Sequence, residues 1–441
     1  NARLVAGEVQ HVLSDSDTRV LVHTDGRSAV VDALPGRDEL QAILTIESAG
    51  GPGRPTGGRS YDSLLAEASS ALPSPARTTA DIAIIGYTSG TTGFPKGAMI
   101  SQRALIACIQ AIPHVYRLPM YGRCAFTGTL SFISGMWGVI LPHLYTGGTL
   151  TFLAGTPPDE LVDRMAADGS TFTYAPSPLV PVMVEQFRRR PEALTTLMSV
   201  LHSASPLPPA HMELLIDAVG DRVVEVWGMT ESAGAVTATT RVDYTGTCAA
   251  DDLLATVGRA TPQASVRTVD PATGEPLPQG ELGELVVEAD TMFSGYYGRP
   301  EQTAEVFDGT SYRTGDIGYV DAAGYVYVTD RAKDMIISGG MNVYPAEVEA
   351  ALVRHEAIAD VAVFGVPDEK WGEAVAAAVV RRPGVELDAD GVIAHAREHL
   401  AGFKKPTRVW FVDELPRNVG MKVQRHVLRE RFASGGPEGD A

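Results

Sequence analysis

Three features of the sequence predict an α/β fold with a large N-terminal domain and a small C-terminal one. Strand-like and helix-like stretches alternate from Thr78 to about Gly220, the pattern of mostly parallel sheets covered by helices. From residue 255 to 329 the stretches become short, β-rich and punctuated by turns, which predicts a small β-rich subdomain, either a barrel or an antiparallel sheet. A charged connector at residues 330–334 then leads into a compact α+β segment. The predicted domains are therefore residues 1–331, with the β-rich part at 255–329, and residues 332–441. A chain of 441 residues is too long for one ordinary core and agrees with this division.

In order along the chain, residues 7–14 form an amphipathic stretch and residues 18–23 a strand, with no lead-in before them. The start is expected to lack the opening of a larger domain, and a sheet without its first units would expose apolar edges. Residues 47–80 are rich in Gly, Ser, Pro and Arg and predict a loop with one short helix at 61–71. A buried strand is predicted at 81–86. Ser101 is an expected N-cap in a stretch from Ala98 that continues as a helix. Further strands are predicted at 124–127, 149–153, 172–175, 197–202 and 223–227, with helices at 158–167, 179–188 and 209–219 between them. The last segment predicts helices at 345–355, 389–400 and 423–432 and strands at 358–364, 374–380 and 408–412.

The composition excludes several classes. An apolar fraction of 44% and a charged fraction of 20% are those of a soluble globular protein. Thirty-six Lys and Arg against 54 Asp and Glu give −18, which argues against a nucleic-acid groove or an anionic membrane as partner. Cys108, Cys124 and Cys248 lack metal or redox spacing and are expected to be reduced core thiols in a cytoplasmic protein. No apolar run reaches membrane-spanning length, no signal-peptide profile opens the chain, and the terminal tail is expected to fray.

The sequence is organised around Tyr87-Thr-Ser-Gly-Thr-Thr-Gly-Phe-Pro-Lys-Gly97. Glycines allow backbone N–H groups to turn inward, Thr and Ser hydroxyls add donors, and Lys96 adds charge, a combination suited to a polyphosphate. It is not a Walker A loop, because Pro95 and Gly97 stand where that pattern needs glycine and Ser or Thr. Four more motifs follow in order: Val226-Trp-Gly-Met-Thr-Glu231, Tyr312-Arg-Thr-Gly-Asp316, Asp330-Arg-Ala-Lys-Asp-Met-Ile-Ile-Ser-Gly-Gly340 with Asn342 and Pro345, and Leu415-Pro-Arg-Asn418 with Lys422.

Together the five motifs, spanning nearly the whole chain, resemble the adenylate-forming superfamily, which includes adenylation domains and luciferases. Within it the closest resemblance is to an acyl-CoA synthetase. The resemblance implies two half-reactions: a carboxylate attacks the α-phosphate of Mg·ATP, and then coenzyme A displaces AMP from the acyl-adenylate. The small domain would rotate between the steps about Lys333.

The resemblance also implies roles for individual residues. ATP would be held by Thr88, Ser89, Gly90, Thr91, Thr92, Gly93 and Lys96, by Ala204, Ser205 and Pro206 on the adenine side, and by Glu225, Val226, Trp227, Gly228 and Met229. Trp227 offers a flat face for adenine, Thr230 a phosphate donor, and Glu231 a carboxylate for Mg²⁺. Asp316 in a turn would accept both ribose hydroxyls, and Arg331 can fork onto ribose or phosphate. Gly339 and Gly340 would wall the pantetheine tunnel, and Lys422 would bridge carboxylate and α-phosphate.

The acid would lie against Phe132, Ile133, Met136, Trp137, Tyr174, Ser203, Met229 and Gly234, an apolar set without a basic residue that favours a hydrophobic monocarboxylate. Ile133 stands where many relatives have a histidine, and Met421 stands where they have a glycine before the lysine. Residues 128–138 contain no aspartate to pair a substrate ammonium, so an amino acid is disfavoured. Transfer to a carrier protein's phosphopantetheine and a catalytically inactive nucleotide-binding relative are the alternatives.

Overall fold

The structure, a computed structural model, describes residues 4–71, 77–88, 95–128, 135–153, 155–204, 207–246, 250–331, 334–338, 341–368, 370–417 and 423–433. The chain divides into two compact units. One comprises Asn1–Cys248, Gly258–Ser265 and Glu288–Ser311, the other Ala249–Val257, Val266–Val287 and Tyr312–Ala441.

The first unit begins with helix α1 (Ala6–Asp15), followed by the parallel strands β1 (Val20–Thr24), β2 (Ala42–Ile46) and β3 (Arg59–Ser60). Leu13 of α1 is buried with Val31, Leu34 and Ile43, so the amphipathic face of the helix closes this small sheet. The short helix predicted at 61–71 runs only over Tyr61–Glu67.

Next comes an antiparallel hairpin of β4 (Ile82–Thr88) and β5 (Lys96–Ser101). Ala98–Ile100 belong to β5, and the helix begins at Gln102 directly after the expected N-cap Ser101, whose hydroxyl accepts from Ala104 N at 3.2 Å. The reading of 81–86 as a buried strand needs correction: β4 is mostly half-buried, since a two-stranded hairpin leaves much of one face uncovered.

The main sheet has seven strands in the order β12-β11-β10-β9-β8-β6-β7. These are β6 (Arg123–Phe126), β7 (Thr149–Phe152), β8 (Phe172–Tyr174), β9 (Ser199–Ser203), β10 (Val223–Met229), β11 (Gly234–Ala238) and β12 (Arg259–Ala260). Strands β6 to β10 are parallel and β11 and β12 antiparallel. Helices Leu161–Asp168, Val180–Arg189 and Pro209–Val219 connect the parallel strands as predicted. The unbroken buried run from Val223 to Trp227 suits a strand covered on both faces. Met136–Ile140 forms a π-helical turn with Trp137 in the core.

Strands β13 (Ala264–Val269) and β14 (Gly283–Ala289) come next; after helix Pro300–Val306 and β15 (Phe307–Asp308) follow β16 (Ser311–Val320) and β17 (Val326–Arg331). In the second unit they form a sheet, β13-β14-β16 with β17 on β16, so the β-rich part is a sheet rather than a barrel. The rest is β18 (Ile336–Ser338), β19 (Met341–Val343), β20 (Ile358–Asp368), β21 (Gly372–Arg381) and β22 (Arg408–Phe411), ordered β19-β18-β21-β20 with β22 beside β21. Alternation explains its two cores. Val375, Ala377 and Val379 face one cluster with Val348 and Val392, while Ala374, Ala376 and Ala378 face another with Leu428 and Phe432. Among the described residues no helix is long and apolar enough to cross a membrane.

Candidate active site

In the first unit the β4–β5 hairpin brings Thr88 and Lys96 together as cross-strand partners. Gly97 packs against β4: a Cβ there would lie 2.6 Å from Ile85. The far edge of β5 is taken by the segment 294–297, with Met99 N donating to Gly295 O at 2.9 Å and Tyr297 N to Gly97 O at 2.8 Å. This segment carries Tyr296, whose ring centre lies 5.2 Å from Lys96 Nζ, a cation–π distance. The buried Tyr296 hydroxyl donates to Glu231 Oε1 at 2.8 Å. Lys96 and Glu231, 135 positions apart in the numbering, are thus linked through one tyrosine.

Glu231 stands in a single tight turn at the end of β10. Ser232 Oγ accepts from Met229 N at 3.1 Å and donates to Gly234 O at 2.8 Å, closing the turn that carries Thr230 and Glu231. Only glycine fits at position 228, because a Cβ would meet Gly234 O at 2.2 Å. The register shifts between Trp227 and Gly228, a bulge that re-aims the strand end. Glu225, Val226 and Trp227 are buried, with Trp227 9% exposed. Val226 pairs with Ser203 of β9, and Ala204 turns the chain at φ 75°. That left-handed conformation strains a residue with a Cβ in the adenine-side loop.

The acid-side residues fall into two groups. Tyr174 lies at the end of β8, its hydroxyl 3.4 Å from Ser203 O. Trp137 and Gly234 converge on Cys108 of helix α2 (Gln102–Val115): Cys108 Sγ is 3.5 Å from Trp137 O, and a Cβ on Gly234 would lie 2.9 Å from the same sulfur. Burial pushes the Cys108 thiol up to about 12, as expected of a core thiol. Gly234→Ala should destabilise the protein by about 1–3 kcal/mol through overpacking, with much of the loss recovered in Gly234→Ala/Cys108→Ala. Denaturant unfolding of the four-member cycle measures this; strictly additive effects would show that the two residues do not compete for space.

In the second unit Asp316 and Arg331 are cross-strand partners on β16 and β17. Asp316 is buried and lies within a strand rather than a turn: Gly315, at φ 69°, kinks the strand just before it. Gly-Asp after Tyr-Arg-Thr reads as a turn because glycine at positive φ serves bulges equally well. Of the predicted residues Ser89, Gly90, Thr91, Thr92, Gly93, Phe132, Ile133, Ser205, Pro206, Gly339, Gly340, Lys422 and the expected pivot Lys333 lie outside the described residues, as does Cys248.

Two functional candidates escape sequence reasoning. Tyr296 sits in Phe-Ser-Gly-Tyr-Tyr, a stretch with no spacing relation to Glu231. The other is His202, whose Nδ1 shares a 2.6 Å hydrogen bond with Glu225 Oε2 while Nε2 lies 2.9 Å from Ser177 Oγ. Burial holds the Glu225 carboxyl above its ordinary value, offset in part by His202. The folded Glu225 carboxyl therefore keeps its proton at pH values where an unfolded glutamate has lost its own. That contribution to stability is present below the ordinary carboxylate value and is lost as pH rises through the folded one. Wild type should therefore lose stability relative to Glu225→Gln on going from about pH 5 to pH 8, by up to ~1.4 kcal/mol per pH unit. Parallel curves of melting temperature against pH for the two proteins would refute this.

A family model described as "AMP-binding enzyme" matches residues 1–297, and one described as "AMP-binding enzyme C-terminal domain" matches residues 347–422. The chain is 34% identical over 436 residues to a feruloyl-CoA synthase of Amycolatopsis sp., covering 98% of this chain and 83% of that one. It is 32% identical over 445 residues to the fatty acid–[acyl-carrier-protein] ligase ScoC of Streptomyces coeruleorubidus, covering 98% and 81%. ATP-bound MatB from Rhodopseudomonas palustris superposes with a TM-score of 0.86 at 30% identity, covering 98% of this chain and 83% of that one.

Proposed function

The chain belongs to the AMP-binding enzyme family, and from that premise we propose that it is an AMP-forming acid–thiol ligase. It joins a hydrophobic carboxylic acid to coenzyme A through an acyl-adenylate, releasing pyrophosphate and then AMP. The observation that carries this reading is the Lys96–Tyr296–Glu231 linkage, which sets a cation for phosphate beside a carboxylate for a metal.

Among the described residues no three His, Cys, Asp or Glu side chains could hold a metal together. A single carboxylate fits Mg²⁺, which binds proteins through one or two carboxylates and takes its other ligands from phosphates and water. Glu231 would hold the ion, and the ion would neutralise charge on the departing pyrophosphate. Trp227 and Ala204 flank adenine, Thr88 and Thr230 donate to phosphate oxygens, and Asp316 takes the ribose hydroxyls. Lys422 screens the approach of the carboxylate to the α-phosphate. Met136, Trp137, Tyr174, Ser203 and Gly234 receive the acid.

A carrier-protein phosphopantetheine is the second acceptor reading, favoured by the likeness to ScoC. A panel of carboxylic acids with ATP and Mg²⁺ tests the proposal: acid-dependent pyrophosphate release is expected. No release with any acid, despite ATP binding, would point to an inactive nucleotide-binding relative. With an active acid in hand, CoA and a holo-carrier protein supplied separately decide the acceptor.

A further inference from the structure

Helix α1 holds both stems of the β4–β5 hairpin. The Tyr87 hydroxyl, one residue before Thr88, donates to Asp15 Oδ2 at 2.8 Å. Pro95 O, one residue before Lys96, lies 2.9 Å from His11 Nε2; a carbonyl only accepts, so Nε2 carries the proton. His11 also meets the Tyr87 ring edge-on at 6.3 Å between centroids. The two bonded side chains sit at positions i and i+4, on one face of the helix.

The same end of α1 holds the segment that carries Tyr296. Asp15 Oδ1 accepts from Arg299 at 2.6 Å, and Asp17 Oδ2 accepts from the Tyr297 hydroxyl at 2.7 Å. Asp15 is therefore shared: one oxygen holds the hairpin stem and the other the strand-like segment on the far edge of β5. The Asp15 side chain is 10% exposed and that of Arg299 41%, so the carboxylate is shielded while its cation stays partly in water.

We propose that Asp15 and His11 are positioning residues for the nucleotide's phosphates, acting through Thr88 and Lys96. The inference rests on the proposed ATP site. The clamp determines how far apart the hairpin stems stand and where Tyr296 meets Lys96. Loosening it spreads Lys96 over more orientations and weakens the hold on phosphate, with little effect on the chemical step once ATP is bound.

The test is calorimetric binding of Mg·α,β-methylene-ATP to the full chain, with thermal melting in parallel. Asp15→Ala and His11→Ala are each expected to raise the dissociation constant roughly five- to twentyfold. Tyr87→Phe, which loses one oxygen and keeps the packing, should raise it about threefold or more. His11→Gln retains an N–H for Pro95 O and should return affinity to within about twofold of wild type. Lower melting temperatures with unchanged nucleotide affinity would overturn the proposal, as would a His11→Gln variant no better than His11→Ala. A wild-type chain that binds no nucleotide would instead bring down the ATP site itself, and this inference with it.

Discussion

Lys422→Ala should lower acid-dependent pyrophosphate release by about three powers of ten while leaving ATP affinity within a few-fold of wild type. The magnitude follows from the charges. A carboxylate and an α-phosphate brought to about 4 Å repel by ~4 kcal/mol at an effective dielectric near 20, and one ammonium between them cancels most of that. Each ~1.4 kcal/mol is tenfold in rate. The second half-reaction brings a thiol to a mixed anhydride already formed and has no such pair of anions. Thioester formation from a supplied acyl-adenylate should therefore fall far less. Single-turnover measurement of each step separates them; equal loss in ATP binding and in both steps would make Lys422 a structural residue.

Glu231→Gln should cost about two to three powers of ten in the same first step and raise the Mg²⁺ concentration needed for half-maximal rate. The substitution is nearly isosteric, and its amide oxygen can still accept from the Tyr296 hydroxyl, so the turn closed by Ser232 is retained. What is lost is the negative charge. Tyr296→Phe should be milder, roughly tenfold, because the carboxylate keeps its charge and loses only the donor that orients it. In Glu231→Gln/Tyr296→Phe the effects should be less than additive, since the tyrosine acts through the carboxylate. A magnesium titration unchanged in Glu231→Gln would remove the metal role from this residue.

Much of the fold is legible in local pattern. The alternation that predicts helix-covered parallel strands is present from β6 to β10, and the helix at Pro209–Val219 has the predicted bounds. Strands β20 and β21 run past their predicted ends, while β22 stops one residue short of its own. The departures are local. The apolar run of β4 reads as a buried strand, yet with β5 alone paired to it most of its residues stay half-buried. Asp316 reads as a turn residue because a glycine at positive φ looks the same in a bulge.

The sequence by itself determined the family and the order of its two parts, because its motifs are local runs that stand in a fixed order along the chain. Only the tertiary structure decided that Tyr296 joins Lys96 to Glu231, that Asp15 and His11 hold the hairpin stems, and that His202 and Glu225 meet in a buried hydrogen bond. The physical reason is distance along the chain: Tyr87 and Asp15 lie 72 residues apart, and Tyr296 and Glu231 lie 65 apart. No propensity or periodicity couples residues so separated. Their meeting depends on how strands pair and how the helix covers them, and those are properties of the packed chain.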